Sequence, residues 1–180
     1  MSQENQKKPQ NDPQTEDRVN NAIRNACGRR FGVLDQGFLC QSLSILNPHS
    51  PICVSCTETL AKTVEIMRTK RVGCLVVTDQ AGKLLGIFSE RDLIMKVELD
   101  KPSRLNAPIS EFMTPEPVSG TFDMTMAYAL NLMSGGGFRH LPLVDNENLA
   151  VGIISVKDVV DYIVKTLVND LLSFDIAGDS

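Results

Sequence analysis

The chain has 180 residues, 42% of them apolar, a net charge of −4 and five cysteines. At about 100–200 residues per domain, that length admits one domain or two small ones packed together, with apolar residues enough for a real core. The acidic balance excludes a general nucleic-acid or anionic-membrane binder, which needs a broad basic face.

Residues 1–20 carry almost no apolar side chains and are rich in Gln, Asn, Pro and charge. Such a stretch cannot offset the entropy lost on ordering, so a disordered tail is expected over 1–30. No apolar core follows its lysine pair, so it is not a secretory signal. No apolar run approaches the ~18 residues of a membrane span, and the chain is read as cytoplasmic. Cys27, Cys40, Cys53, Cys56 and Cys74 are odd in number and irregularly spaced. The lone C-x-x-C at 53–56 lacks the second pair or the histidines that zinc requires, which leaves reduced structural thiols as the expectation. From Phe31 the pattern changes. Leu39, Leu43 and Leu46 recur at helical spacing with Phe38 and Ile45 beside them, predicting a helical lead-in over 31–45.

The stretch GIFSERDLI at 86–94 returns as GIISVKDVV at 152–160, 66 positions later. A gapless shift of 66 lays Pro51 on Pro117, Thr59 on Thr125, Ala61 on Ala127, Met67 on Met133, Asp79 on Asp145 and Asp92 on Asp158. Chance does not hold register over such a span. The chain is built twice from one unit, with repeats predicted over 46–105 and 106–166.

Each copy predicts the same elements in order. An extended lead (PICVS; PVSGT) reaches an N-cap at Thr57 or Asp123. A helix then carries Leu60, Val64 and Met67, or Ala127, Leu130 and Met133. A β-rich run (GCLVVT; FRHLPLV), a polar turn at 79–82 or 145–148 and a second strand (LLGIF; AVGII) follow, leading into Ser-x-x-Asp and a second helix. The fold class is α/β, of α+β type: β-α-β-β-α, twice. A unit of about 50 residues buries too little surface to stand alone, so the copies are expected to pack as a pseudo-twofold pair with a ligand cleft between them. The apolar stripe Val160, Ile163, Val164, Leu167, Leu171 runs past the second repeat into a C-terminal helix end and tail over 167–180. It suits either intrachain core or a dimer contact.

Ser-x-x-Asp at a strand-to-helix junction has two readings. It resembles a capping box, although Asp reaches back less well than the usual Glu or Gln. An Asp carboxylate also accepts from paired hydroxyls such as a ribose diol, while the serine and the free N–H groups of the helix start suit a phosphate. The residues alone leave both open.

Gly86-Ile87-Phe88-Ser89-Glu90-Arg91-Asp92 and Gly152-Ile153-Ile154-Ser155-Val156-Lys157-Asp158 both fit G-h-x-[S/T]-x-x-D, where h is apolar, and FMTPEPV precedes the second repeat's helix. With these motifs in register on a doubled β-α-β-β-α unit, the chain resembles a tandem pair of CBS domains (named for cystathionine β-synthase), or Bateman module, over about 46–164. The resemblance implies a non-catalytic regulatory module. It would bind AMP, ADP, ATP or S-adenosylmethionine between the repeats and signal through a homodimer of modules or an effector protein. It implies Asp92 and Asp158 as ribose acceptors and Ser89 and Ser155 as hydroxyl donors, with Gly152 heading the second motif. Asn47, Pro51 and Ile52, and Thr114, Pro117 and Val118, would line the base pockets. Arg139 and His140 stand where the first copy has Gly73 and Cys74, and related nucleotide-sensing modules hold phosphate with basic residues there. Arg91 and Lys157 would add charge.

The chain has no P-loop, G-x-S-x-G, H-E-x-x-H or carboxylate cluster with a plausible base, so neither catalysis nor a catalytic cofactor or metal is expected. The alternative is a structural dimerisation module with vestigial pockets. A nucleic-acid partner would need a basic face that the composition does not show.

Overall fold

The duplication is written into the backbone of the computed structural model, which describes Asp17, residues 36–97 and residues 102–177. The tail expected over 1–30 lies, Asp17 apart, outside the described residues. In the first repeat, β1 (Cys53–Ser55), α2 (Leu60–Lys70), β2 (Cys74–Thr78), β3 (Leu84–Ser89) and α3 (Glu90–Lys96) follow a short α1 (Gln36–Leu39). The second supplies β4 (Thr114–Pro115), α4 (Met126–Gly136), β5 (His140–Val144), β6 (Ala150–Ser155) and α5 (Val156–Ala177). The mixed α/β class and the doubled unit hold.

Local chemistry repeats with the same 66-residue offset. Helices α2 and α4 are capped by Thr59 and Thr125, whose hydroxyls accept the N–H of Lys62 at 3.2 Å and of Tyr128 at 3.3 Å. The caps thus fall two residues after the expected Thr57 and Asp123, directly before the first buried helical residues, Leu60 and Met126. Thr57 instead bonds Ser55 at 2.9 Å. Both helices end in a left-handed residue, Arg71 (φ 54°) and Gly137 (φ 65°). In the strand-connecting turns Asp79 Oδ1 accepts from the N–H groups of Ala81 and Lys83, and Asp145 Oδ1 from those of Glu147 and Leu149. The left-handed turn positions are Gly82 (φ 84°) and Asn148 (φ 64°), residue types that tolerate this conformation.

The described part of the lead-in is helical in two pieces: α1 stops at Leu39 and a 3₁₀ turn spans Leu43–Leu46. Backbone pairing explains the break, because Leu43 and Ser44 donate to the carbonyls of Met124 and Phe122, and Met126 donates to that of Gln41. Phe38 and Leu43 are buried whereas Ile45 is exposed. In α4 the deeply buried residues are Met126, Tyr128, Ala129, Leu132 and Met133, while Ala127 and Leu130 are half-buried.

Four strands form one sheet in the order β1-β2-β3-β4, with β1 parallel to β2 and the other pairs antiparallel. Strands β5 and β6 form a second. The parallel bridge Gly120↔Leu143 repeats Val54↔Val77 of the first sheet. The second repeat's lead borders β3 through Gly86↔Pro115 and Ile87↔Thr114. Reciprocally, His49 of the first repeat's lead bridges Ile153 on β6. The connecting turns also meet: Lys83 bridges Leu149, Leu84 N–H donates to Asn148 and Ala150 N–H to Gly82.

The chain divides into two compact units that cut across the repeats. One holds His49–Thr121 and Pro142–Ile153; its core joins Val54, Leu60, Met67, Leu75, Val77, Phe88, Val97, Ile109 and Phe112. The other holds the described residues up to Pro48, Phe122–Leu141 and the chain from Ile154 on. In it Phe38 stacks on Tyr162 at 5.5 Å, and the Tyr162 hydroxyl donates to Gln41 Oε1 at 2.9 Å, fastening α1 to α5.

Candidate ligand-binding site

Gly86 determines how the first Ser-x-x-Asp is surrounded. A Cβ at that position would lie 2.4 Å from Met113 Sδ and 3.0 Å from the Thr114 carbonyl oxygen. Only glycine lets β4 run this close to β3. The approach brings the Thr114 side chain over the start of α3, where Ser89 caps the helix and Asp92 is its third residue.

Asp92 is 8% exposed and engaged at both oxygens. Its Oδ2 accepts the Ser89 N–H at 2.9 Å and the Ser89 hydroxyl at 2.6 Å, while the Asp92 N–H returns to Ser89 Oγ at 3.3 Å. Its Oδ1 accepts from Lys96 Nζ at 2.6 Å and Thr114 Oγ1 at 3.0 Å. Lys96 also donates to Thr114 Oγ1 at 2.9 Å, closing a three-membered ring of contacts. Burial pulls the Asp92 carboxyl upward, but the Lys96 ammonium and the Ser89 hydroxyl and N–H outweigh it, so it sits below the usual aspartate value.

The second Ser-x-x-Asp opens α5. Ser155 N–H and hydroxyl donate to Asp158 Oδ2 at 2.6 and 2.8 Å, and Asp158 N–H donates to Ser155 Oγ at 3.3 Å. The capping geometry therefore matches the first copy. The other oxygen does not: among the described residues no side chain or N–H donates to Asp158 Oδ1. The position matching Lys96 is Tyr162, which turns to Gln41, and the one matching Thr114 is Pro48, which has no hydroxyl. Val156 N–H donates to the Arg139 carbonyl at 3.0 Å, so the start of β5 lies against the start of α5. Arg139 is exposed, and its guanidinium forms no ion pair among the described residues. In the first copy the same backbone bond runs from Glu90 to Gly73, which offers no charge.

The remaining sequence-predicted residues fall in several places. Ser89, Asp92 and Thr114 come together around Lys96; Ser155, Asp158 and the Arg139 backbone come together at α5. His140 follows on β5, half-buried. Lys157 is exposed and paired with Asp161, and Arg91 is exposed. Gly152 is buried in β6. Ile52 packs against the core cluster, and Pro51, Pro117 and Val118 are half-buried on the leads. Asn47 is exposed and left-handed, with φ 50°. Lys96 was missed by sequence reasoning. Its signal was the Asp-x-x-x-Lys spacing, which puts a cation one helical turn beyond the motif carboxylate.

Comparison with known proteins gives this arrangement a family. The CBS domain family model matches residues 45–98 and 109–165. A CBS-domain containing protein from Agrobacterium tumefaciens is 30% identical, with a TM-score of 0.62 over 68% of this chain and 98% of its own. The cytosolic domain of the Mg2+ channel MgtE, solved in complex with ATP, is 28% identical with a TM-score of 0.53 over 63% of this chain and 45% of that one. An uncharacterized 17.7 kDa protein of Acidianus ambivalens is 32% identical over 101 residues, which is 56% of this chain and 60% of that protein. The match spans about 60% of the length of the first curated relatives. No helix of the described residues is long and apolar enough to cross a membrane.

Proposed function

The chain belongs to the CBS domain family as a tandem pair, and on that premise we propose that it is a non-catalytic regulatory module for an adenosine-containing ligand: AMP, ADP, ATP or S-adenosylmethionine. The observation that carries the reading is the half-used carboxylate of Asp158. One oxygen caps α5 and the other is left for hydroxyl donors, at the start of a helix whose N–H groups favour an anion. Asp158 takes the ribose diol, Ser155 assists, and Arg139 pairs with phosphate, for which a guanidinium fork is suited. The ATP complex of the MgtE domain supports the ligand class.

A ligand at about 100 times its Kd adds roughly 2.7 kcal/mol to stability. In a chain of this size that raises Tm by about 5–10 °C. Thermal melting with millimolar AMP, ATP and S-adenosylmethionine therefore tests the reading, and no shift with any of them sinks it. Arg139→Ala should weaken AMP and ATP more than adenosine; equal loss removes Arg139 from the phosphate.

The signal passes through a second copy of the module. Val160, Val164 and Val168 are exposed at four-residue spacing along α5, and Ile94 is exposed at the position of the first repeat that matches Val160. Light scattering of the wild type against Val164→Glu checks this contact. One observation favours the competing reading of a dimerisation module with vestigial pockets: both motif aspartates cap their own helices. A dimer that melts identically with and without every adenosine ligand would establish it.

A further inference from the structure

An ionised carboxylate offers about four lone-pair sites. At Asp92 four donors fill them: the Ser89 N–H, the Ser89 hydroxyl, the Lys96 ammonium and the Thr114 hydroxyl, at 2.9, 2.6, 2.6 and 3.0 Å. At Asp158 the described residues provide two donors, the N–H and hydroxyl of Ser155. We infer that Lys96 is a specificity-determining residue that closes the sugar-binding carboxylate of the first repeat, so that the chain takes one adenosine ligand, at Asp158. The inference rests on the adenosine reading above and adds to it a stoichiometry and the residue that sets it.

A ribose hydroxyl entering at Asp92 must displace a donor from Oδ1. The ammonium bond is charge-assisted, and a neutral hydroxyl offers a weaker one. Displacing Lys96 also breaks its bond to Thr114 Oγ1, so the three groups resist replacement together. The hydroxyl of Thr114 is held in place by the β3–β4 pairing that Gly86 permits, which ties the closure to the sheet. Among the described residues nothing comparable forms in the second repeat, where Tyr162 and Pro48 stand at the matching positions. The difference between two sites and one thus comes down to side chains around a capping turn that both copies share.

The test is calorimetric titration of the full chain with AMP, ATP and S-adenosylmethionine, on the wild type, Lys96→Met and Lys96→Met/Asp92→Ala. Met keeps the length and apolar stem of Lys96, whose side chain is 37% exposed. Lys96→Ala is the second variant, and a circular-dichroism melt reports folding of each. One ligand per wild-type chain, two per Lys96→Met chain and one again in the double variant is the expected result. Two per wild-type chain, or one per chain in both folded Lys96 variants, overturns the inference while leaving the adenosine reading intact. No binding by any protein overturns both.

Discussion

The two motif turns share a backbone, a capping serine and an aspartate, and differ in what reaches the second carboxylate oxygen. In the first repeat the chain supplies its own cation and hydroxyl, Lys96 and Thr114; in the second the described residues supply neither. On the proposed reading, a capping box and a ligand acceptor are not rival interpretations of one aspartate. Capping uses Oδ2 in both copies, and the role left to each residue is decided at Oδ1, by neighbours outside the motif.

The largest effect that can break this comparison is in binding. Asp158→Ala should reduce adenosine-ligand affinity about a hundredfold or more, since two hydrogen bonds to a charged group contribute roughly 1.5 kcal/mol or more each. Asp92→Ala should leave affinity within a few-fold and lower stability instead. Titration calorimetry on the two variants separates them, and equal losses would erase the asymmetry.

Next comes Gly86→Ala, which forces β4 away from β3. Because one clashing atom is the Thr114 backbone carbonyl, the cost should be about 1–3 kcal/mol in urea unfolding. A neutral outcome would show that the β3–β4 approach, and with it the reach of Thr114, is not set by this glycine.

Acid sharpens the contrast further. An unfolded aspartate titrates near about 3.9. In the fold Asp92 titrates lower, because the Lys96 and Ser89 donors outweigh its burial. The unfolded chain therefore binds the extra proton between the two values. The stability contributed by Asp92 is whole above pH about 4 and is lost as pH falls through its folded value. Urea midpoints from pH 6 to 3 should fall more steeply for wild type than for Asp92→Asn; parallel curves would contradict the contact.

The smallest effect lies at the helix ends. Arg71 holds the left-handed position that Gly137 holds in the other copy. Arg71→Gly should raise stability by about 0.5 kcal/mol, the relief of a non-glycine left-handed residue less the entropy glycine adds to the unfolded chain. Gly137→Ala should lower it by about 1 kcal/mol. Chemical denaturation of the pair measures both.

The doubled fold was legible because the 66-residue offset survives in residues whose roles are backbone-bound: Thr59 and Thr125, Asp79 and Asp145, Ser89 and Ser155. The break within the lead-in is not legible, because leucines at helical spacing describe a face, whereas pairing of residues 41–44 with 122–126 is tertiary. Lys96 escaped notice for a similar reason. Its spacing to Asp92 is visible, but its second partner, Thr114, arrives from another strand across a contact that no local pattern encodes. Ile52, an apolar side chain on a lead strand, suits a base or a core by its sequence alone, and in the fold it is half-buried against the core.

The exchange of strand edges has an evolutionary corollary. The second repeat's lead covers β3 of the first, and His49 of the first repeat reaches β6 of the second. Either half expressed by itself would bare unsatisfied amides along a raw border, a template for aggregation. Neither half can then be discarded by deletion, even one whose chemistry has fallen silent. On the proposed asymmetry, such mutual dependence would shelter a non-binding copy from loss and leave it free to acquire a lysine where its twin kept an acceptor.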